Sequence, residues 1–76
     1  MVLERVKSVI AKELGIEVAE LNVNASFTDD LGIDSLEIFE IVMSLEEEFD
    51  IEIPNEDIEN IKNVQEITSY VESKLN

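Results

Sequence analysis

The sequence predicts an all-α fold, a small four-helix bundle with three longer helices, one short third helix and a long loop between the first and second helices. Apolar residues recur at spacings of three and four in separate stretches, and no stretch alternates in the manner of a strand. Only 2 Gly and 1 Pro interrupt the chain, and 45% of its residues are apolar. We therefore expect 76 residues to form one domain, 1–76, around a thin core.

The first helix is predicted over residues 3–14, and Gly15 directly after it is a typical helix stop. Its apolar residues keep the helical spacing: Leu3, Val6, Ile10 and Leu14. Residues 15–34 lose this period, although apolar residues remain frequent among them. A loop of this length is unusual in a compact domain unless it has a role, so we expect it to lie across the core.

The second helix is predicted to start after Asp34, its N-cap, with Ser35 as the first helical residue, and to run to about Phe49. Pro54 marks a break, and Asn55 is expected to cap a short third helix that continues to residue 61. The last helix follows a pattern that resembles a capping box, Asn63 with Glu66 three residues later, and extends to Leu75.

A helical projection of the second helix separates two faces. Five apolar residues fall within a stripe about 100° wide, which predicts the core face: Ile38, Ile41, Val42, Leu45 and Phe49. Leu36 and Met43 fall nearly opposite, on the same outer face as Glu40 and Glu47. Apolar residues interleaved with acids indicate a docking surface for a basic, partly apolar partner, although scattered exposed apolar residues are also ordinary.

The charge is extreme and local. The chain has 19 acidic and 5 basic residues, a net charge of −14, and the 49 positions from Glu13 to Ile61 hold 16 acids and no Lys or Arg. Such a surface repels nucleic acid and anionic membranes and favours basic partners, although an acidic stretch can also serve solubility alone. No apolar run is long enough to span a membrane, and the first seven residues do not resemble a signal peptide, so we expect a cytoplasmic monomer.

Two residue types that commonly do chemistry are missing. The chain has no Cys and no His, which excludes a thiolate nucleophile, a disulfide framework, Cys-based metal sites and Ser-His or Cys-His catalytic pairs. No catalytic residue and no metal ligand set is therefore predicted.

Two stretches make a known family recognisable. The sequence Asp30-Leu31-Gly32-Ile33-Asp34-Ser35-Leu36 resembles the attachment motif of acyl carrier proteins, of the kind that serve bacterial type II fatty-acid synthases. The downstream block from Met43 to Pro54 is also similar to that family, and the likeness covers nearly the whole chain. A lone Asp-Ser-Leu is weak evidence, but the acidic block at this distance, the length and the charge make the resemblance strong.

The resemblance implies that Ser35 carries 4′-phosphopantetheine, whose thiol holds acyl intermediates as thioesters for enzymes of fatty-acid or lipid biosynthesis. The residues are compatible with this role. If Asp34 caps the helix, the Ser35 hydroxyl stays free, and a phosphodiester there meets the positive end of the helix dipole. No His or nearby Lys could activate Ser35, so a phosphopantetheinyl transferase must modify the chain, which is a carrier and not an enzyme.

The resemblance also implies two sets of contact residues. The partner set, expected to meet basic patches on acyl-synthesis and acyl-transfer enzymes, is Asp34, Leu36, Glu37, Glu40, Met43, Glu46, Glu47, Ile53 and Glu59. The acyl set, expected to line a cleft for the acyl chain, is Phe27, Phe39, Val42, Leu45, Phe49, Ile53, Ile58, Ile61, Ile67 and Tyr70. Phe39, Ile58 and Ile67 are larger than the Val or Ala often found there, which predicts a shallower or displaced cleft.

Other interpretations remain open at this point. Within the carrier class, the chain could carry D-alanyl, aminoacyl or polyketide groups or a dedicated lipid. From a different class, a small acidic helical protein could mimic nucleic acid or bind cations. The EF-hand pattern fails, however, because placing Gly32 at the sixth loop position puts Phe27 at the first.

Overall fold

The computed structural model describes residues 2–75, and within them it confirms the all-α prediction. Four α-helices follow one another: α1 (Val2–Leu14), α2 (Ser35–Phe49), α3 (Asn55–Ile58) and α4 (Val64–Leu75). A single turn of 3-10 helix, Val18–Glu20, lies in the first connection and was not predicted. α1 packs against both α2 and α4. Within residues 2–75, no helix has the length and apolar character needed to cross a bilayer.

The end of α1 shows why Gly15 stands where it does. Gly15 adopts a positive φ of 70°, and the N–H groups of Gly15 and Ile16 donate to the carbonyls of Lys12 and Ala11 at 3.3 and 3.0 Å. These two bonds form a Schellman motif, which satisfies the last carbonyls of the helix. The predicted helix stop is confirmed.

The predicted boundaries of α3 and α4 differ from the structure in several details. Asn63 accepts the Glu66 N–H at 2.8 Å as expected, but the Glu66 carboxylate returns to the Lys62 N–H at 2.7 Å, one residue before the position that a capping box uses. The prediction for α3 was wrong in two respects. Its N-cap is Pro54, and the helix ends at Ile58 instead of continuing to residue 61.

The long connection of residues 15–34 lies across the core, as predicted. Leu21, Phe27 and Ile33 are buried. The Phe27 N–H donates to the Lys62 carbonyl at 2.9 Å, and the Gln65 N–H donates to the Val23 carbonyl at 3.0 Å. These bonds attach the connection to the segment that joins α3 and α4 and pair the Phe27 N–H and the Val23 carbonyl, which lie outside any helix.

Arg5 joins α1 to the far end of α2. Its Nε and Nη2 atoms donate to Glu48 Oε2 at 3.1 and 2.9 Å, Nη2 also donates to the Glu48 carbonyl at 3.2 Å, and the guanidinium stands 4.5 Å from the Phe49 ring centre. The last turn of α2 contains no basic residue of its own. Arg5 therefore supplies the positive charge that a helix C-terminus favours.

Asp50, which ends α2, has a positive φ of 54° and is the only non-glycine residue with positive φ in the described chain. A side chain with a Cβ atom makes this conformation costly. We predict that the free energy of unfolding of Asp50→Gly, measured by urea denaturation, is about 1 kcal/mol higher than that of Asp50→Ala.

Both Asp50 variants remove the same charge, so their difference isolates the effect of the Cβ atom. Equal stability of the two variants would contradict the left-handed backbone at this position.

Candidate functional site

The N-terminus of α2 presents Ser35 to solvent. Asp34 Oδ1 accepts the Glu37 N–H at 2.9 Å, which confirms Asp34 as the side-chain cap. Ser35 is exposed, and its hydroxyl makes no hydrogen bond with any residue in the described part of the chain. The cap therefore leaves the serine oxygen free, and the N–H groups of Ser35 and Leu36 have no carbonyl within the helix to bond.

A cleft of about 350 Å³ opens beside Ser35. Its walls come from the first connection, from the first turns of α2, and from α3 with the segment after it: Ser26, Phe27, Thr28, Asp29, Ser35, Ile38, Phe39, Ile58, Glu59, Ile61 and Lys62. This volume lies near the lower end of the range of about 300–1,000 Å³ for small-molecule sites. The cleft has an apolar floor and polar residues at its rim.

A second, smaller gap continues from the floor of this cleft into the core. It shares Phe27, Ile38, Ile58 and Ile61 with the cleft, and Ile41, Val42 and Ile67 complete its lining. The gap is apolar and has no room for a water molecule. Anything that enters it must displace side chains that are now in contact.

The acyl set divides between these two spaces and the rest of the protein. Phe27, Phe39, Ile58 and Ile61 line the cleft, and Val42 and Ile67 line the inner gap. Four members line neither space: Leu45, Phe49, Ile53 and Tyr70. Of these four, Leu45, Ile53 and Phe49 are buried core residues, and the Phe49 ring also packs under Arg5.

Sequence reasoning missed two cleft residues on α2. Ile38 lines both spaces, and Ile41 lines the inner gap. The helical projection had assigned both to the core face. The helical spacing of Ile38 and Ile41 therefore showed that they face inward. It does not show whether an inward-facing residue packs in the core or lines the cleft, because the same face of α2 does both in this fold. Lys62 at the rim was also missed.

The outer face of α2 carries an exposed apolar stripe. Leu36 is 68% exposed, Met43 60% and Phe39 42%. The predicted position of Leu36 and Met43 is confirmed, and Phe39 both lines the cleft and reaches the surface. The exposed acidic members of the partner set surround this stripe: Asp34, Glu37, Glu40, Glu47 and Glu59.

Two members of the partner set are used inside the protein. Ile53 is only 5% exposed, so its side chain packs in the core of the unbound protein, and its contact with a partner stays a prediction. Glu46 is half-buried, and its Oε2 atom accepts the Ile53 N–H at 2.9 Å. This bond holds the segment between α2 and α3 against α2, which gives Glu46 a structural role.

Tyr70, on α4, faces α3 and lines a different space from the cleft beside Ser35. It lines a groove with Asp57, Asn60 and Ile61, and its hydroxyl donates to Asp57 Oδ2 at 2.6 Å. Partial burial, together with the hydrogen bond to the Asp57 carboxylate and its negative charge, raises the pKa of Tyr70 to about 12. Tyr70 therefore connects α4 to α3 and does not line the cleft beside Ser35, and its role towards an acyl chain stays a prediction.

Comparison with known proteins adds independent findings. A family profile described as a phosphopantetheine attachment site matches residues 4–71. An acyl carrier protein of Bdellovibrio bacteriovorus is 53% identical over 92% of this chain and 90% of its own length. One from Clostridium acetobutylicum is 49% identical over 96% and 95%. A solved structure from Mycobacterium tuberculosis, assigned as an acyl carrier protein, is 34% identical, covers 96% of this chain and 97% of its own, and has a TM-score of 0.88.

The Tyr70 hydroxyl should lose its proton about two pH units above an ordinary tyrosine, whose pKa is about 10, because its pKa in the folded protein is about 12. The folded state then favours the protonated phenol. This contribution to stability is complete below the unfolded pKa of about 10 and is lost as the pH rises towards 12. The phenolate absorbance measures the titration directly, since the chain has 1 Tyr and no Trp.

The control for this prediction is Asp57→Asn, which keeps an oxygen acceptor but removes the charge. We expect the Tyr70 titration to move back towards the ordinary range in that variant. A titration that is the same in both proteins would rule out the contribution of Asp57.

Proposed function

Because the chain belongs to the acyl carrier proteins, a family with a phosphopantetheine attachment site, we propose that it carries acyl groups as thioesters on a 4′-phosphopantetheine arm attached to Ser35. The observation that carries this proposal is the free, exposed hydroxyl of Ser35 at the mouth of a cleft with an apolar floor. When attached, the arm supplies the thiol that this Cys-free chain lacks.

The N-terminus of α2 suits a phosphodiester on Ser35. The unpaired N–H groups of the first turn and the positive end of the helix dipole both stabilise a negative charge there. The Asp34 carboxylate has no hydrogen-bond donor to offer the phosphodiester. Its role is to accept the Glu37 N–H, which fixes the start of the helix at Ser35. The hydroxyl is not consumed by the cap, and this is the arrangement that an acceptor serine needs.

The family is one of non-catalytic carriers, and we propose that a phosphopantetheinyl transferase modifies Ser35. The structure corrects the expectation that no Lys lies nearby, because Lys62 lines the same cleft as Ser35 together with carboxylates. The chain contains no His, however, and the Ser35 hydroxyl forms no hydrogen bond with any of these groups in the described chain. The transferase would therefore have to supply the base that accepts the hydroxyl proton, and coenzyme A would supply the arm.

The cargo is proposed to be short or to stay shallow. The outer cleft of about 350 Å³ is open, but the inner gap has no room even for a water molecule. The side chains that close it include Ile58 from α3 and Ile67 from α4. Phe39 narrows the mouth from the side of α2. A long acyl chain would have to separate these residues, which costs packing contacts throughout the small core.

The partner surface is proposed to be the outer face of α2 with Glu59. Three exposed apolar side chains, Leu36, Phe39 and Met43, run along one line of the helix and are flanked by exposed carboxylates. An apolar centre with a charged rim is the usual arrangement of a protein interface. The acidic rim steers basic surfaces of acyl-synthesis and acyl-transfer enzymes towards Ser35 and disfavours nucleic acid.

We further propose that this single carrier domain, residues 1–76, acts as a cytoplasmic monomer in fatty-acid or lipid biosynthesis. The relatives at about half identity, from Bdellovibrio and Clostridium, are acyl carrier proteins by name. A specialised D-alanyl, aminoacyl or polyketide carrier is the second candidate, and the filled inner gap favours it because such cargoes need no deep cleft.

Loading of the arm tests the attachment residue. Incubation with coenzyme A and an active phosphopantetheinyl transferase should add the mass of one phosphopantetheine to the protein, as measured by intact mass spectrometry. Ser35→Ala should gain no mass, because the acceptor oxygen is gone. Ser73→Ala, which changes an exposed serine on α4, should load like the unchanged protein. Loading of Ser35→Ala, or none in any variant with several active transferases, would refute the proposal.

Chain length tests the shallow cleft. Loading with a butyryl group should raise the melting temperature, and a palmitoyl group should raise it no further, because the inner gap is filled. Phe39→Val widens the mouth and should shift the largest gain to longer chains. Met43→Val makes a matching change on the same helix outside the cleft and should leave the profile unchanged. A gain that grows steadily up to palmitoyl in the unchanged protein would show that the cleft is deep.

A further inference from the structure

We propose that Lys62 binds the anionic oxygens of the phosphodiester on Ser35 and thereby holds the arm over the cleft. The proposal rests on the proposed attachment at Ser35. Lys62 and Ser35 line the same cleft of about 350 Å³, Ser35 at the start of α2 and Lys62 on the segment between α3 and α4. Among the residues that line it, Lys62 is the only cation.

Both backbone polar groups of Lys62 are hydrogen-bonded. Its carbonyl accepts the Phe27 N–H at 2.9 Å, and its N–H donates to Glu66 Oε1 at 2.7 Å. Phe27 is itself part of the cleft floor. The point from which the lysine side chain extends is therefore tied to the cleft that Ser35 also lines.

The ammonium group of Lys62 is available for a ligand. In the described chain it forms no ion pair, although Asp29 and Glu59 line the same cleft. Arg5, in contrast, is engaged by Glu48, and Lys74 lies 5.4 Å from the Tyr70 ring centre. Lys7 and Lys12 also form no ion pair in the described chain, so it is the position of Lys62 in the lining of the cleft, together with Ser35, that distinguishes it from them.

The position in the sequence supports the same assignment. Lys62 is the first basic residue after the acid-only stretch from Glu13 to Ile61, and it follows directly on a residue of the cleft floor, Ile61. A phosphodiester adds a further negative charge to the most acidic part of the molecule. Lys62 offsets that charge at the one place where the added group and the cleft meet.

This pairing would give the arm a preferred direction. The dipole of α2 attracts the phosphodiester but does not select a side of the helix. A cation across the cleft mouth draws the phosphodiester towards α3, so the arm starts over the cleft instead of along the partner surface. A basic partner would then compete with Lys62 for the same phosphate and release the arm outward.

The test compares Lys62→Gln with Lys12→Gln, an exposed lysine of α1 outside the cleft, so that both variants change the net charge equally. Each protein is loaded with the arm alone, without an acyl group, and loading is verified by intact mass. The change in melting temperature on loading should be about 2–4 °C less favourable in Lys62→Gln than in Lys12→Gln. The single ³¹P resonance should shift only in Lys62→Gln, and Lys62→Arg should restore both readouts.

Salt gives a further check, because screening over about 3 Å at 1 M ionic strength should remove the difference between the variants. Equal effects of loading in Lys62→Gln and Lys12→Gln, with normal masses, would overturn the role of Lys62 and leave the attachment at Ser35 intact. An effect that appears only with a carboxylated acyl group would assign Lys62 to the cargo and overturn the phosphate assignment. Absence of loading in every protein would overturn both proposals.

Discussion

The hydrogen bond from the Phe27 N–H to the Lys62 carbonyl, 2.9 Å long, is the contact on which the site depends. It joins the irregular first connection to the segment between α3 and α4, two parts of the chain with no regular structure to align them. The Phe27 carbonyl accepts the Ile33 N–H at 2.8 Å, just before the cap of α2. One residue therefore sets the cleft floor, the approach to Ser35 and the position of Lys62.

α2 shows how a short helix can serve several purposes at once. Its buried stripe supplies the core, and part of that stripe, Ile38 and Ile41, also lines the space beside Ser35. Its outer stripe remains exposed among carboxylates, and its N-terminus presents the serine. Because a 76-residue domain has little interior to spare, binding space and core are the same residues, and opening the cleft means loosening the core.

Most of the fold could be predicted from local signals. Asp34, Gly15 and Asn63 each act through bonds within a few residues, and the sequence therefore located the end of α1 and the starts of α2 and α4. The error in α3 arose where long-range contacts decide, because no pattern in the sequence reports how the residues after Ile58 turn towards the cleft. In the same way, no local pattern reports that Asp57, on another helix, holds the Tyr70 hydroxyl.

The site residues also divide into those set by local signals and those set by long-range contacts. Ser35 and the outer face of α2 were predictable because a cap and a helical period are local features. The burial of Ile53 and its bond to Glu46 were not predictable, because the resemblance transfers positions but not burial, and the bond forms only once the segment after α2 folds back. Lys62 was visible only as the end of an acidic stretch, since its place beside Ser35 depends on the Phe27 contact.

The distribution of charge connects these observations. Sixteen acids without a basic residue between Glu13 and Ile61 repel one another, so the fold can tolerate them only on an exposed surface, away from the core. Two of the five cations lie beside α2. Arg5 binds Glu48 at its C-terminus, and Lys62 lines the cleft that also contains Ser35. The outer face of the helix between these points carries exposed acids and no basic residue, which leaves it open to a basic partner.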